Sequence, residues 1–374
     1  MNKRISDSVP AIVNTLNQNK RSDLSAFLGF DACIDNIVRI VKDKKENTDI
    51  EFFNSSKQFG EFLINLDNKS CGVELNTKLS KIGGNMVITG NALGKLGMSV
   101  DCVGTFGQPD ILPVFQSMSE NCTLHTIGDT ISATALEFDE SKVIVFDPGP
   151  YADLNWEGIK NVLGIDRIRK LISEKQLISF LNWSEIENSS IIWEGFLEEI
   201  LPFVDKKDLP TFLFTDFSDC SRKSEKEIIY AINLLARFRN YFKVIISLNQ
   251  NETDLIASAI GGSHSGSDEK FIKTLFNSIN ADVLTIHRTK DAFGYDGITF
   301  EKCDTFFCSE PAVLTGGGDN FNAGFCYALL SKLDIYQSLL VANAVAGYYV
   351  KTGLSPSRDD LIDFLNHYFM NNSW

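Results

Sequence analysis

Nowhere in the 374 residues do about 18 apolar residues run uninterrupted, which argues against a membrane-spanning helix. Residues 1 to 20, MNKRISDSVPAIVNTLNQNK, lack the apolar stretch of a signal peptide. Lysine and arginine never cluster enough to form a phosphate-tracking stripe, and the formal net charge is -14. Both facts argue against nucleic-acid or anionic-membrane binding. An anionic ligand must therefore be held locally, by backbone N–H groups at a helix start, a few basic side chains or a divalent cation. The eight cysteines are scattered and no Cys-x-x-Cys occurs. They read as reduced thiols used as small apolar groups in a cytoplasmic protein, rather than as a metal or disulfide framework. There is no internal repeat and no low-complexity tract, and GGSHSGSDEK (261–270) reads as a loop or helix break.

What is present is an ordinary globular composition, 44% hydrophobic and 22% charged. The length exceeds that of one typical core, so either one large α/β domain with an appendage or two domains are expected. Short apolar runs recur before helical patterns: LSAFLGFD (24–31), VDCVGTFG (100–107), LISFLNW (177–183), TFLFTDFSD (211–219), FKVIISLN (242–249) and DVLTIHR (282–288). Runs of this length suit strands buried on both faces, and their alternation with helices predicts a mainly parallel sheet. Ligands bind beyond the C-terminal ends of such strands, which points to Asp31, Asn182, Asp216, Asn249 and His287. TALEFDESKVIVFD (134–147) breaks the alternation and reads as a hairpin turning at Asp139 to Ser141. With CIDNIVRIVKD after Asp31, it could build a small separate sheet that excludes water from the strand ends.

The densest signal is AVLTGGGDNFNAGFCYALL (312–330). Phe321, Phe325, Ala328 and Leu329 recur at helical spacing, so Gly316, Gly317 and Gly318 form the turn that opens a helix. Without Cβ atoms, the N–H groups there can crowd around an anion, aided by the positive end of the helix. Asp319 in the first turn is equally readable as a carboxylate that complements the helix dipole.

TGGGDNFNAGF closely resembles the second signature of the ribokinase-like (PfkB) carbohydrate kinases, with Gly317 in place of an alanine. The resemblance implies a three-layer α/β/α fold with a mostly parallel central sheet and a small β lid. The resemblance spans residues 29 to about 365 and implies that 1–374 is one kinase domain, with lid elements near 32–55 and 130–148. It implies that ATP phosphorylates a sugar hydroxyl, with Asp319 as the base and Gly316 to Gly318 as donors to the transferring phosphate. KIGGNMVITGNALGKLGMSVDCVGTFG (81–107) resembles the first signature, pointing to Gly83, Gly84 and Asn85 at the sugar. Gly97 suits the C-cap of the helix between them, while Ile88 stands where the family often has asparagine. GFDACIDNI (29–37) offers Asp35, or alternatively Asp31, for two sugar hydroxyls. SLNQNETDL (247–255) resembles an Asn-x-x-Glu motif that organises Mg2+ through water. Asn249 with Glu252 fits it, and Asn251 with Asp254 has the same spacing. Helix capping is the alternative reading of this segment.

The nucleotide turn of the family falls on VLTIHRTKDAFGYDG (283–297), where Arg288 and Asp291 replace its glycines. His287 and Arg288 are the residues placed near nucleotide phosphate, and Asn343 near the adenine. The implied partners are a sugar and a nucleotide, with a homodimer through the lid as a family analogy. Nucleoside or sugar-phosphate kinases of the same fold, and a ligand-binding pseudokinase, are the competing functions. A phosphorylated acceptor needs basic lid residues, for which Arg39, Lys42 and Lys44 are candidates.

Overall fold

The structure, a computed structural model, describes residues 3–18, 24–45, 49–264, 266–306, 308–313 and 315–371. Residues 46–48 of the expected lid, and both chain ends of the expected domain, lie outside that set. Fourteen strands follow in chain order: β1 Ser25–Phe30, β2 Cys33–Lys45, β3 Asp49–Phe52, β4 Leu75–Gly83, β5 Ser99–Gly104, β6 Cys122–Thr126 and β7 Ile131–Glu137. After these come β8 Lys142–Phe146, β9 Leu177–Phe180, β10 Phe212–Asp216, β11 Lys243–Asn249, β12 Val283–His287, β13 Asp291–Tyr295 and β14 Phe300–Asp304.

Nine strands form one sheet in the order β14-β13-β12-β11-β10-β9-β1-β5-β6. All its pairs are parallel except those that β13 makes with β12 and β14. Each of the six apolar runs read from the sequence is one of its parallel strands. Period-two alternation explains why they are buried on both faces. In β11, Val244, Ile246 and Leu248 enter one hydrophobic cluster and Ile245 the other. In β1, Phe27 packs with Trp156, Phe180 and Phe196 on one face, while Ala26 and Leu28 pack with Leu93 and Phe325 on the opposite face. The sheet is thus the middle of three layers, with helices on either side. Among the described residues no helix is long and apolar enough to cross a membrane.

The second sheet has five strands, β3-β2-β7-β8 with β4 on the other edge of β2. The expected hairpin is β7 and β8, antiparallel from Ala133↔Phe146 to Glu137↔Lys142. β4 was not expected. Its sequence, LNTKLSKIG, is exposed from Leu75 to Ser80, so it is a strand by pairing with β2 rather than by burial.

Only Asp31 and Ala32 separate β1 of the large sheet from β2 of the small one, and this junction is tightly bonded. Asp31 accepts from the Met86 N–H at 2.9 Å and from Asn182 Nδ2 at 3.1 Å. The Ala32 N–H donates to Thr105 Oγ1, and the Ala32 carbonyl accepts from the hydroxyls of Thr105 and Thr130. From there β2 runs 13 residues without a break.

Candidate active site

The strand-end residues named from sequence do gather along one edge of the large sheet. Asp31 follows β1, Asn182 follows β9, and Asp216, Asn249 and His287 end β10, β11 and β12. Facing them is the helix Gly317–Leu330, which starts at the glycine turn and is buried along nearly its whole length. Close packing against the helix Ile335–Thr352 holds it, since a Cβ at Gly324 would lie 2.9 Å from the Ala342 Cα. Gly316 caps it with φ 96°, a conformation that glycine adopts freely. The first N–H groups of a helix have no intrahelical acceptor, so those of Gly317 and Gly318 are open to a ligand. Gly318 lies against His287, whose Cε1 would be 3.1 Å from an added Cβ.

Asp319 sits in this first turn in an acidic corner. Burial, and then the carboxylates of Asp216, Asp31 and Glu252, push its pKa well above the usual carboxylate range. One turn on, Asn322 donates to Asp216 at 2.6 Å and accepts from the Ser247 hydroxyl at 2.6 Å. That buried chain fixes the helix to the ends of β10 and β11. The sequence reading had not singled out Asn322 or Ser247.

The two glycines of the earlier signature are explained by what lies against them. A Cβ at Gly83 would be 2.6 Å from the Asp35 carboxyl, and one at Gly84, where φ is 94°, would be 2.6 Å from Asp31 Oδ2. Asn85 donates to the Ser218 hydroxyl at 2.8 Å. The two aspartates differ in kind. Asp31 is fully buried and spends its oxygens on Met86 and Asn182, whereas Asp35 lies on β2 of the small sheet, half-buried beside Lys81.

Burial pushes Asp31 up to about 6. A carboxyl raised in this way stabilises the fold fully below its unfolded pKa, near 3.8, and loses that contribution as pH rises through 6. Asp31→Asn should keep both contacts, because the Asn182 Oδ1 has no hydrogen-bond partner and can accept from the new amide. Urea titrations at a series of pH values should show the wild type losing up to about 3 kcal/mol relative to the variant between pH 4 and 7. Parallel pH profiles for the two proteins would show that Asp31 stays ionised.

Asn249 and Glu252 form a capping box at the helix Gln250–Ala259, as the alternative reading had it. Asn249 Oδ1 accepts from the Glu252 N–H, and Glu252 accepts from Asn249 in return. Of the rival pair, Asn251 lies 3.4 Å from Asp219, and Asp254 accepts from Gln250 on the exposed side of the helix. Burial and then Asp216 push Glu252 up to about 9. Oxygen donors in an acidic corner suit a hard divalent cation. Among the described residues no three His, Cys, Asp or Glu side chains converge on one ion.

A cavity of about 470 Å³ opens beside the glycine turn, lined by Asn249, His287, Arg288, Gly317, Gly318 and Asn343. All the residues assigned to a nucleotide from sequence, except Glu252, therefore share one wall system. Their chemistry is now specific. Burial pulls the His287 pKa down to about 4, so the ring is neutral and brings no charge to a phosphate. Arg288 is bound by Asp291 at 2.7 Å and Asp268 at 3.1 Å, and Asn343 donates to the Asp304 carbonyl.

Basic residues elsewhere are also distributed differently from expectation. Arg39 pairs with Asp139, Lys42 with Glu51 and Lys44 with Glu74, all on the far part of the small sheet. Lys142 reaches Thr315, immediately before the glycine turn, and Lys81 reaches Tyr349, whose hydroxyl bonds the Thr315 carbonyl; the motifs had indicated neither lysine.

With this geometry in hand, comparison with known proteins is decisive. A family model of prokaryotic ketohexokinases matches residues 4–368. The chain belongs to the prokaryotic ketohexokinase family. A curated ketohexokinase from Haloferax volcanii is 26% identical over 346 residues, covering 91% of this chain and 90% of that protein. Two solved structures share the fold. A ribokinase from Thermotoga maritima has a TM-score of 0.62 at 16% identity, over 92% of this chain and 99% of that one. An Arabidopsis thaliana ribokinase complexed with ribose and ATP has a TM-score of 0.64 at 14% identity, over 91% and 98%. As a ketohexokinase relative with a ribokinase fold, the protein is a sugar kinase, a phosphotransferase with an alcohol group as acceptor.

Proposed function

We propose that the protein transfers the γ-phosphoryl group of ATP to a hydroxyl of a ketohexose, with Asp319 as the general base. The observation that carries this reading is the position of Asp319, one residue beyond the glycines that line the cavity with Asn343, and within the field of Lys81, which Asp35 also shares. A base with a raised pKa at that junction can take the hydroxyl proton as the oxygen attacks phosphorus. Gly316 to Gly318 supply N–H donors to the phosphoryl oxygens. Asp35, Gly83, Gly84 and Asn85 contact the sugar, with Asp31 holding the helix start behind them. Asn249 and Glu252 would hold Mg2+ through water, which would supply screening of phosphate charge; Arg288 and Asn343 border the nucleotide. The chain works as one kinase unit with the small sheet as its lid.

A coupled ADP-release assay with ATP and Mg2+ tests this, run over D-fructose, other free hexoses, ribose, fructose 6-phosphate and nucleosides. Turnover highest with a ketohexose is the expected result. A preference for a nucleoside or a phosphorylated sugar would replace the acceptor, and ligand binding without turnover on any acceptor would favour a sensor.

The lid also suits a second copy of the chain, because Leu75 and Leu79 on β4 and Val143, Ile144 and Val145 on β8 are about half exposed. Sedimentation velocity at micromolar concentration should give a dimer that Leu79→Glu with Val145→Glu converts to monomer. A wild-type monomer would end the idea.

A further inference from the structure

Asp319 is crowded by negative charge, and a phosphoryl group in transit adds more. Arg288 cannot offset it freely, since Asp268 and Asp291 already hold its guanidinium. Two ammonium groups from the small sheet nevertheless lie close to the turn, Lys142 on the residue before Gly316 and Lys81 on Tyr349, whose hydroxyl bonds that same residue. Lys81 lies on β4, two residues before Gly83, with Nζ 3.4 Å from the Tyr349 hydroxyl. That hydroxyl donates to the Thr315 carbonyl at 3.1 Å. Lys142 opens β8, and its Nζ lies 3.3 Å from Thr315 Oγ1, immediately before Gly316.

Lys81 is half-buried, and its field environment comprises Asp35, Asp319 and Lys142. Lys142 opposes the charge of Lys81 while Asp35 and Asp319 favour it, so a further anion beside the two lysines would be favourably placed. Asp35 and Lys81 are also register partners across β2 and β4, so their side chains share one face of the lid. Recognition of the acceptor and supply of charge thus occupy adjacent places on the same two strands.

We propose that Lys81 and Lys142 clamp the phosphoryl group in transit, so that the lid supplies the cationic half of an anion site whose N–H half belongs to the core. The inference rests on the reading that transfer takes place at the Gly316–Asp319 turn. In the step itself the acceptor oxygen forms a bond to the γ-phosphorus, and the bond from that phosphorus to the bridging oxygen breaks. The bond pair leaves with ADP, and the hydroxyl proton passes to the Asp319 carboxylate. Lys81 and Lys142 stay protonated and neutralise the equatorial oxygens.

Lys81→Met, Lys142→Met and Lys81→Arg test the clamp beside Asp319→Asn, using ATP, Mg2+ and the sugar that the acceptor panel turns over. Each Met variant should lower kcat roughly 100-fold or more. The KM for sugar and the affinity for ATP alone should change by less than about threefold, the signature of an interaction made in the transition state. Affinity for ADP with tetrafluoroaluminate, a mimic of the phosphoryl group in flight, should fall along with kcat. Lys81→Arg should recover part of the loss. Near-normal kcat in both Met variants beside an inactive Asp319→Asn would overturn the clamp while leaving the turn intact. Loss in sugar KM alone would overturn it too, making the lysines ground-state contacts. Full turnover in Asp319→Asn would remove the turn, and the clamp with it. If Lys81→Met fails to fold, Lys142→Met, at an exposed position, decides the matter.

Discussion

Asp319→Asn should leave a folded protein that binds ATP and sugar and turns over roughly 100- to 10,000-fold more slowly, the range for loss of a general base. The two side chains have the same shape, so the glycine turn and the helix it opens are undisturbed. Folding stability should hold or rise. Burial and the fields of Asp216, Asp31 and Glu252 oppose ionisation at this position, and asparagine carries no charge for them to oppose. For the wild type, kcat/KM should climb with pH through a pKa above the ordinary carboxylate range, because only the ionised form accepts a proton. The variant should lack that limb. Rate profiles from pH 4 to 9, with calorimetric titration of each ligand, separate the possibilities. Turnover within tenfold of wild type would mean that another group takes the proton.

Gly316→Val should be the most damaging single change in the turn, through two independent costs. Its φ of 96° lies where a side chain strains the backbone by about 1 to 2 kcal/mol. Its Cβ would also lie 2.7 Å from the Tyr349 hydroxyl. Movement of that ring would break its bond to the Thr315 carbonyl and its contact with Lys81. Denaturant unfolding should show a loss of about 2 to 4 kcal/mol, in the range of strain and overpacking effects. With the N–H donors displaced, kcat should fall about 100-fold or more. Adding Tyr349→Phe should relieve the overlap but not the strain, and so restore only part of the stability. A variant as stable and active as wild type would show that the turn relaxes without consequence.

The parallel strands and the hairpin were legible because apolar runs and alternation report burial directly. β4 was not, since an exposed strand such as LNTKLSKIG carries no burial pattern and exists only through its ladder with β2. The glycine turn was legible as a helix start because a helical repeat follows it, and its reading as a phosphate cradle came from the resemblance to the kinase signature. Lys81 and Lys142 are 61 residues apart in the chain, on strands whose register no local pattern specifies, so their convergence on Thr315 and Tyr349 could not be read. Asp31, Asn182 and Asp216 could be named as strand-end residues, but not that Asp31 bonds Asn182 or that Asp216 bonds Asn322. The role of Asn249 and Glu252 as a reciprocal cap was visible as an alternative because capping is local.

The junction at Asp31 and Ala32, bonded on several sides, sets how the small sheet can move. With its root clamped and its ladders irregular only farther out, at Ile37/Val38 and Val41/Asp43, the small sheet is held most firmly where it leaves the large one. Deflection of a beam fixed at one end grows with distance from the fixed end. Asp35, three residues past Ala32, must therefore hold nearly the same place whether the lid is raised or lowered. The residue proposed to meet the sugar thus sits at the anchored end of the small sheet, beside the large one.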